Sequence, residues 1–313
     1  MVTVIRTERK SVVLSSSSLS CLSHIPAINL TSGCAHGCLY CYARGYSTYP
    51  GEDKVVVYQN TLEKLKKELS CKRTKPQAVY FSPSSDIFQP ISEVLDLGYS
   101  VLEYLLSKGI GVAFLTKGKI PEKTMSLLLS HADKVRAQIG IITPDDSIRQ
   151  IFEPESANIE VRLQQMREMI DGGIAVEARL MPILPGITDT DDSIEPLFRA
   201  IAGVRVKQAA ISTLFIRPGI AESLKRRAPK ERSIDKMLNL YKNLGRIAVH
   251  AKNSSVVPLP RPKREEIYSR IRQVAKKYGI DVFVCGCMNP DIGGTCNITG
   301  SYLFQQVQPS LFE

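Results

Sequence analysis

A chain of 313 residues with 43% hydrophobic content is long and apolar enough to bury a sizeable core, which excludes wholesale disorder and leaves room for one large α/β barrel or two modest domains. Its 41 Lys and Arg against 31 Asp and Glu suit either a polyanionic partner such as nucleic acid or an ordinary basic surface. No apolar run reaches bilayer-crossing length, Met1 to Lys10 lacks the apolar segment of a signal peptide, and eight cysteines then fit a reducing, cytoplasmic setting where thiolates serve metals better than disulfides.

Residues 1–26 are Ser-rich, with Ser15 to Ser18 in a row, and read as an irregular lead-in. Ile28-Asn29-Leu30 is a short strand that delivers the chain to Cys34-Ala35-His36-Gly37-Cys38-Leu39-Tyr40-Cys41. Beyond it, strands and helices alternate. Leu62, Leu65 and Leu69 recur at helical spacing behind Asn60, an N-cap candidate with Glu63 three residues on. Ala78 to Phe81 is a buried strand, Leu97 to Leu106 a helix ending near Gly109, Gly111 to Leu115 a strand and Ile120 to Leu129 a helix. Val135 to Ile142 is a strand, and Asn158 caps a helix carrying Leu163, Met166 and Ile170 that Gly172-Gly173 stops. Ile174 to Leu180 is a strand, Ile194 to Ile201 a helix and Val206 to Phe215 a last strand before Pro218. Six strands separated by helices imply parallel pairing and an open, partial (βα) barrel. Its active site belongs at the C-terminal ends of the strands.

Past Pro218 the character shifts. Glu222 to Arg232 holds five basic and two acidic residues. Ser233 is a cap candidate for a helix with Ile234, Met237, Leu238 and Tyr241, and Lys263 to Tyr278 is a further amphipathic helix. Asp281 to Val284 reads as a strand leading into Cys285-Gly286-Cys287 and Cys296. The stretches 222–232 and 261–277 carry twelve Lys and Arg between them, as phosphate contacts or as solvated helix faces. Tyr46 and Tyr49 are candidates for stacking on bases.

The chemistry centres on the first cysteine loop. Three thiolates in C-x-x-x-C-x-x-C spacing can converge on one metal centre, whereas bridges within so short a loop are awkward. A zinc site on Cys34, Cys38 and Cys41 with His36 is the structural alternative, although zinc sites usually pair two distant halves. A [4Fe–4S] cubane takes one thiolate per iron, so three cysteines leave one iron free.

Cys34, Cys38, Tyr40 and Cys41 match C-x-x-x-C-x-aromatic-C, and the chain thereby resembles the radical S-adenosylmethionine (SAM) enzymes. The resemblance implies an α/β fold, a partial (βα)6 radical-SAM barrel over 27–217, after the lead-in 1–26 and before a cysteine-containing C-terminal extension, 218–313. It also implies a site-differentiated [4Fe–4S] cluster on Cys34, Cys38 and Cys41 that binds SAM and splits it reductively, with electrons from an external ferredoxin- or flavodoxin-type donor. Within that superfamily the chain is similar to the spore photoproduct lyase-like family, through Gly33 to Ala43, Ser85-Asp86-Ile87-Phe88-Gln89-Pro90, Leu115-Thr116-Lys117, Glu153-Pro154 with Arg162-Leu163, and Pro182 to Asp189. Pro83, Ser84 and Ile87 depart from the pattern, and a hydrogen-donor cysteine has no assigned place.

For SAM, the resemblance points to the second strand end, with Ser84 and Asp86, for the amino group. Tyr40 is the adenine neighbour, Gln138 the ribose candidate, and Lys117 a further site residue or a loop charge. Arg179 suits a bidentate grip on the carboxylate, or a salt bridge with Glu153 or Glu177. Cys285, Cys287 and Cys296 are expected to bind a second iron–sulfur cluster, with Cys21 favoured over Cys71 as the fourth ligand; zinc, a redox-active thiol or plain buried thiols are the alternatives. The expected function is a radical SAM enzyme, lyase or transferase, acting on a nucleic acid, a peptide or a small molecule, with the basic excess tilting towards nucleic acid and with no membrane partner. The rival is a non-catalytic zinc-binding protein that contacts nucleic acid.

Overall fold

The computed structural model describes residues 2–16, 20–23, 25–217, 219–229, 231–249 and 255–295. Strands β1 (Thr3–Thr7), β2 (Ala27–Ile28), β3 (Thr31–Ser32) and β4 (Lys54–Tyr58) come first. Next are α1 (Thr61–Ser70), β5 (Ala78–Phe81), α2 (Ser92–Ser107), β6 (Gly111–Thr116), α3 (Glu122–Leu129) and β7 (Val135–Gly140). Then follow α4 (Asp146–Phe152), α5 (Ile159–Asp171), β8 (Ala175–Ile183), α6 (Asp191–Gly203) and β9 (Gln208–Thr213). The chain continues through α7 (Ile220–Arg227), α8 (Arg232–Asn239), β10 (Ile247–Ala248), β11 (Ser255–Val256), α9 (Arg261–Lys277) and β12 (Asp281–Val284).

The main sheet is parallel throughout, in the order β12-β9-β8-β7-β6-β5-β2. The six expected strands stand side by side in chain order, as an open, partial (βα) barrel requires. A seventh strand, β12, comes from the segment expected to be an extension. The free edge of β9 offers a row of unpaired backbone groups, and β12 covers it with Val282 beside Ala209 and Phe283 beside Ala210. Cys285 and Cys287 therefore emerge at the C-terminal end of the sheet.

Residues 1–26 contain regular structure, contrary to the expected lead-in. Four of the five residues Thr3–Thr7 are β-branched and favour a strand. β1 pairs parallel with β4, and β4 antiparallel with β3, just before the cysteine loop. Helix ends also shift. Asn158 caps α5 by accepting from Val161 N at 2.8 Å, but Asn60 accepts from Arg9 N at 2.8 Å instead of capping α1. α2 begins at Ser92, five residues before Leu97, while Glu231 rather than Ser233 occupies the N-cap of α8.

Period-two alternation divides the sheet. Val79, Val112, Ala137, Ala178 and Ala209 join Leu105, Leu128, Met166 and Phe198 of the helices in one fully buried core. The opposite face, towards the barrel axis, is polar: Gln138 lies beside Glu177 in register, and Arg136, Arg179 and Gln208 keep the same alternation. Gln138 donates to Glu177 at 2.5 Å, and Arg136 donates to Glu177 at 3.3 Å and Gln208 at 3.1 Å. Buried polar side chains survive by satisfying one another.

Candidate active site

The chain enters the cysteine loop through Gly33, whose φ is 82°. A Cβ there would lie 2.4 Å from the Lys54 carbonyl oxygen of β4, so only glycine fits. The loop is then tied down from two sides. Ala35 N donates to Gln89 Oε1 at 2.9 Å, and Leu39 N to the Phe152 carbonyl at 2.9 Å. Both ring nitrogens of His36 face oxygens, the Glu155 carbonyl at 3.1 Å and Asp86 Oδ2 at 3.0 Å.

Asp86 is the hub of the second strand end. Besides His36, its carboxylate accepts from Phe88 N at 2.8 Å, Thr116 Oγ1 at 2.8 Å and Lys117 N at 2.9 Å. Burial alone would raise its pKa, but His36 and the two backbone donors hold it below the usual carboxylate value. Ser84 is bound through N and Oγ to Asn29 Oδ1 at 3.1 and 3.0 Å. Tyr40 lies buried with its hydroxyl donating to Glu153, which also pairs with Arg162 Nη1 at 2.6 Å. Burial would raise the Glu153 carboxyl, yet Arg162, Lys117 and Tyr40 keep it low. The Lys117 ammonium stands 5.7 Å from the centre of the Tyr40 ring.

A cavity of about 230 Å³ opens at the C-terminal ends of the strands. Of the residues nominated from sequence, Cys34, Cys38, Cys41, Tyr40, Ser84, Asp86, Lys117, Arg179, Cys21, Cys285 and Cys287 all line it. Gln138 does not; it is fully buried within the polar face, where it accepts from the Tyr80 hydroxyl at 3.3 Å and donates to Glu177. Arg179 faces the cavity with Glu177 3.9 Å away. Cys71 is exposed beyond α1, and Cys296 lies outside the described residues. Cys21, Cys285 and Cys287 pack with Leu22, Tyr80 and Met288 in one small cluster. A second hollow of about 710 Å³ lies against the other side of the loop, lined by Gly37, Arg44 and Lys54.

The donor set fits an iron–sulfur cluster and SAM. Cys34, Cys38 and Cys41 are half-buried and share the cavity. Burial pushes the Cys38 thiol up to about 12, so its thiolate needs a cationic centre. Among the described residues no three His, Cys, Asp or Glu side chains converge closely enough to hold one metal ion; a cubane, whose irons each take a separate thiolate, asks for a wider triangle. Ser82 Oγ and Ser85 Oγ are buried without a partner on the cavity wall, and Arg179 supplies a guanidinium there.

Residues 28–199 match the model of the Radical SAM superfamily, over half of the chain. The chain belongs to the radical SAM superfamily. A Radical SAM Nalpha-GlyT isomerase of Pseudomonas phage M6 is 29% identical over 172 residues, 55% of this chain and 35% of that one. An uncharacterized protein of Mycobacterium tuberculosis is 24% identical over 199 residues, 61% of this chain and 58% of its own length. The chain thus spans well under two thirds of these relatives. Among solved structures, a spore photoproduct lyase complexed with dinucleoside spore photoproduct superposes with a TM-score of 0.67 at 18% identity, covering 90% of this chain and 81% of that one. A radical SAM methyltransferase from Sphaerobacter thermophilus reaches 0.52 at 15% identity, over 88% and 70%. These structures share the radical SAM fold.

Sequence reasoning missed several residues of this radical SAM site. Asn29 anchors it, Arg217 and Tyr42 line the cavity, and His36, named above only as a zinc ligand, anchors the loop through Asp86. His36 was signalled by its place between two cysteines; Arg217 carried no local signal. The basic stretches also read differently in three dimensions. Arg261, Lys263, Arg264, Arg270 and Lys277 of α9 each meet a carboxylate, and Arg226 and Arg227 meet Glu52. No helix among the described residues is long and apolar enough to cross a membrane.

Proposed function

We propose that this chain is a radical SAM enzyme that works on a nucleotide or nucleic-acid substrate at the barrel mouth. The observation that carries it is the shared cavity: Cys34, Cys38 and Cys41 line it together with Tyr40, Lys117 and Arg179, at the C-terminal ends of a parallel sheet. Cys34, Cys38 and Cys41 would hold a [4Fe–4S] cluster. When bound and reduced, that cluster supplies the electron that splits SAM into methionine and a 5′-deoxyadenosyl radical.

The chain's own residues do the positioning. Asp86, His36 and Gln89 fix the loop that presents the thiols. Arg179 would take the SAM carboxylate, and Ser82 and Ser85 would offer unspent hydroxyls to its amino end. Tyr40, held by Glu153, would lie against the adenine. The apolar cluster of Leu22, Tyr80 and Met288 keeps water from the reacting face. Asp86 is bonded to four protein donors, so its part is to hold the loop. A ferredoxin- or flavodoxin-type donor reaches the cluster from the outer hollow, which backs onto the same three cysteines.

The nucleic-acid reading is supported by the spore photoproduct lyase complex, which holds a dinucleoside product, and by the chain's excess of basic residues. A second cluster on Cys285, Cys287 and Cys296 with Cys21 is part of the same reading, because Cys21, Cys285 and Cys287 reach the cavity wall together. The test is anaerobic reconstitution, then SAM with dithionite. Release of 5′-deoxyadenosine and methionine is expected, with more than four irons per chain if both thiol groups bind clusters. No 5′-deoxyadenosine, or zinc without iron and sulfide, would overturn it.

A further inference from the structure

We propose that Arg217, Tyr42 and Tyr46 form a subsite for the phosphate and base of a substrate nucleotide, distinct from the place that takes the SAM carboxylate. It rests on the radical SAM reading above and adds the residues that would hold the substrate's phosphate and base.

The first observation is an uncompensated charge. Arg136, Arg149, Arg162, Arg179 and Arg264 are buried, and each has a carboxylate within 4 Å. Arg217 is equally buried, 7% exposed, and lines the cavity. Its Nε is buried with no hydrogen-bond partner. Among the described residues, its guanidinium meets only two tyrosine rings, with Cζ 6.0 Å from each centroid. A buried cation is costly unless an anion meets it, and ring faces compensate weakly. A ligand anion completes the site.

The second observation selects the ligand. SAM has one carboxylate, which the reading above assigns to Arg179 in the same cavity. The anion on Arg217 therefore belongs to the substrate. The rings of Tyr42 and Tyr46 meet edge to face, 5.8 Å apart at 72°, and both line the cavity. Tyr42 is 42% exposed, and its hydroxyl donates to the Pro83 carbonyl, which fixes the ring. An open aromatic face beside an arginine is the pairing that takes a base by stacking and its phosphate by charge. Reactions on a base need it out of a duplex stack, so the ligand is a free or extruded nucleotide.

The test uses the anaerobically reconstituted holoenzyme with SAM and no reductant. Equilibrium dialysis measures thymidine 5′-monophosphate, thymidine and benzoate. The monophosphate is expected to bind about tenfold more tightly than the nucleoside. Arg217→Gln erases that preference, Arg217→Lys keeps part of it, and SAM affinity, which also reports folding, changes less than twofold. Tyr42→Ala weakens monophosphate and nucleoside alike. Equal binding of the two by the unaltered protein, tighter binding of benzoate, or loss of SAM in Arg217→Gln overturns the subsite. Release of 5′-deoxyadenosine is measured in parallel. If it persists without a phosphate preference, the subsite fails and the radical SAM reading stands; if it is absent, that reading fails.

Discussion

His36 Nε2 stands 3.0 Å from Asp86 Oδ2, and this contact joins the middle of the cysteine loop to the end of the second barrel strand. The same carboxylate also receives Thr116 Oγ1 and the backbone N–H groups of Phe88 and Lys117. One buried side chain therefore sets the loop against both β5 and β6.

Replacing Asp86 with alanine strands those donors. Each buried unsatisfied group costs about 1–3 kcal/mol, and partial relaxation leaves an expected loss of about 3 kcal/mol. Denaturant unfolding of the cluster-free protein should show it, together with a clear drop in iron incorporated. Unchanged stability would contradict the role of Asp86 as the hub.

Gly33→Ala should act on the loop alone. The position has φ of 82°, and the added Cβ would meet the Lys54 carbonyl oxygen at 2.4 Å. The left-handed conformation costs about 1–2 kcal/mol for a residue with a Cβ, and the clash adds to it. Iron and sulfide analysis after reconstitution should fall well below the unaltered protein. Full incorporation would show that the entry turn can relax.

The polar face of the barrel makes a separate prediction. Glu177 is fully buried and faces Arg136 and Arg179. Removing one member of a buried ion pair costs about 3–5 kcal/mol, whereas replacing both with apolar residues is often neutral. Glu177→Ala should therefore lower the unfolding midpoint strongly. Arg136→Met with Glu177→Leu should recover part of the loss, because Arg179 and Gln138 still lose the Glu177 carboxylate. A double variant less stable than the single one would contradict the pairing.

Arg179→Gln should weaken SAM binding by about tenfold to a hundredfold, which corresponds to about 1.5–3 kcal/mol for a hydrogen bond to a charged group. Calorimetric titration of SAM into the reconstituted protein measures it. A change below twofold would place the SAM carboxylate elsewhere.

Much of the frame is legible in the chain because its signals are local. Ala78–Phe81, Gly111–Thr116 and Val135–Gly140 are short apolar runs between turn residues, and each becomes a buried strand in chain order. The three-cysteine loop is legible for the same reason. What escapes are relations across long separations. Lys54–Tyr58 carries three consecutive valines, but a strict βα alternation has no place for a strand that pairs with Thr3–Thr7. β12 reads as a strand, yet only the open edge of β9 reveals that it completes the barrel sheet. Asp86 reads as a ligand candidate until its donors are placed around it. Arg217 sits 175 residues from Tyr42, and no spacing rule connects them. The alternation of Arg136 with Gln138, and of Glu177 with Arg179, went unread, although charged residues at period two in buried strands must find one another.

The most direct measurement is the low-temperature EPR spectrum of the dithionite-reduced, anaerobically reconstituted protein, recorded with and without SAM. We expect a [4Fe–4S]⁺ signal that changes shape when SAM is added and that disappears in Cys38→Ala if no second cluster is present. If a second cluster is present, a signal remains in that variant but no longer responds to SAM. A protein that binds zinc and shows no signal, or whose signal is the same with and without SAM, would contradict a cluster with an iron open to SAM.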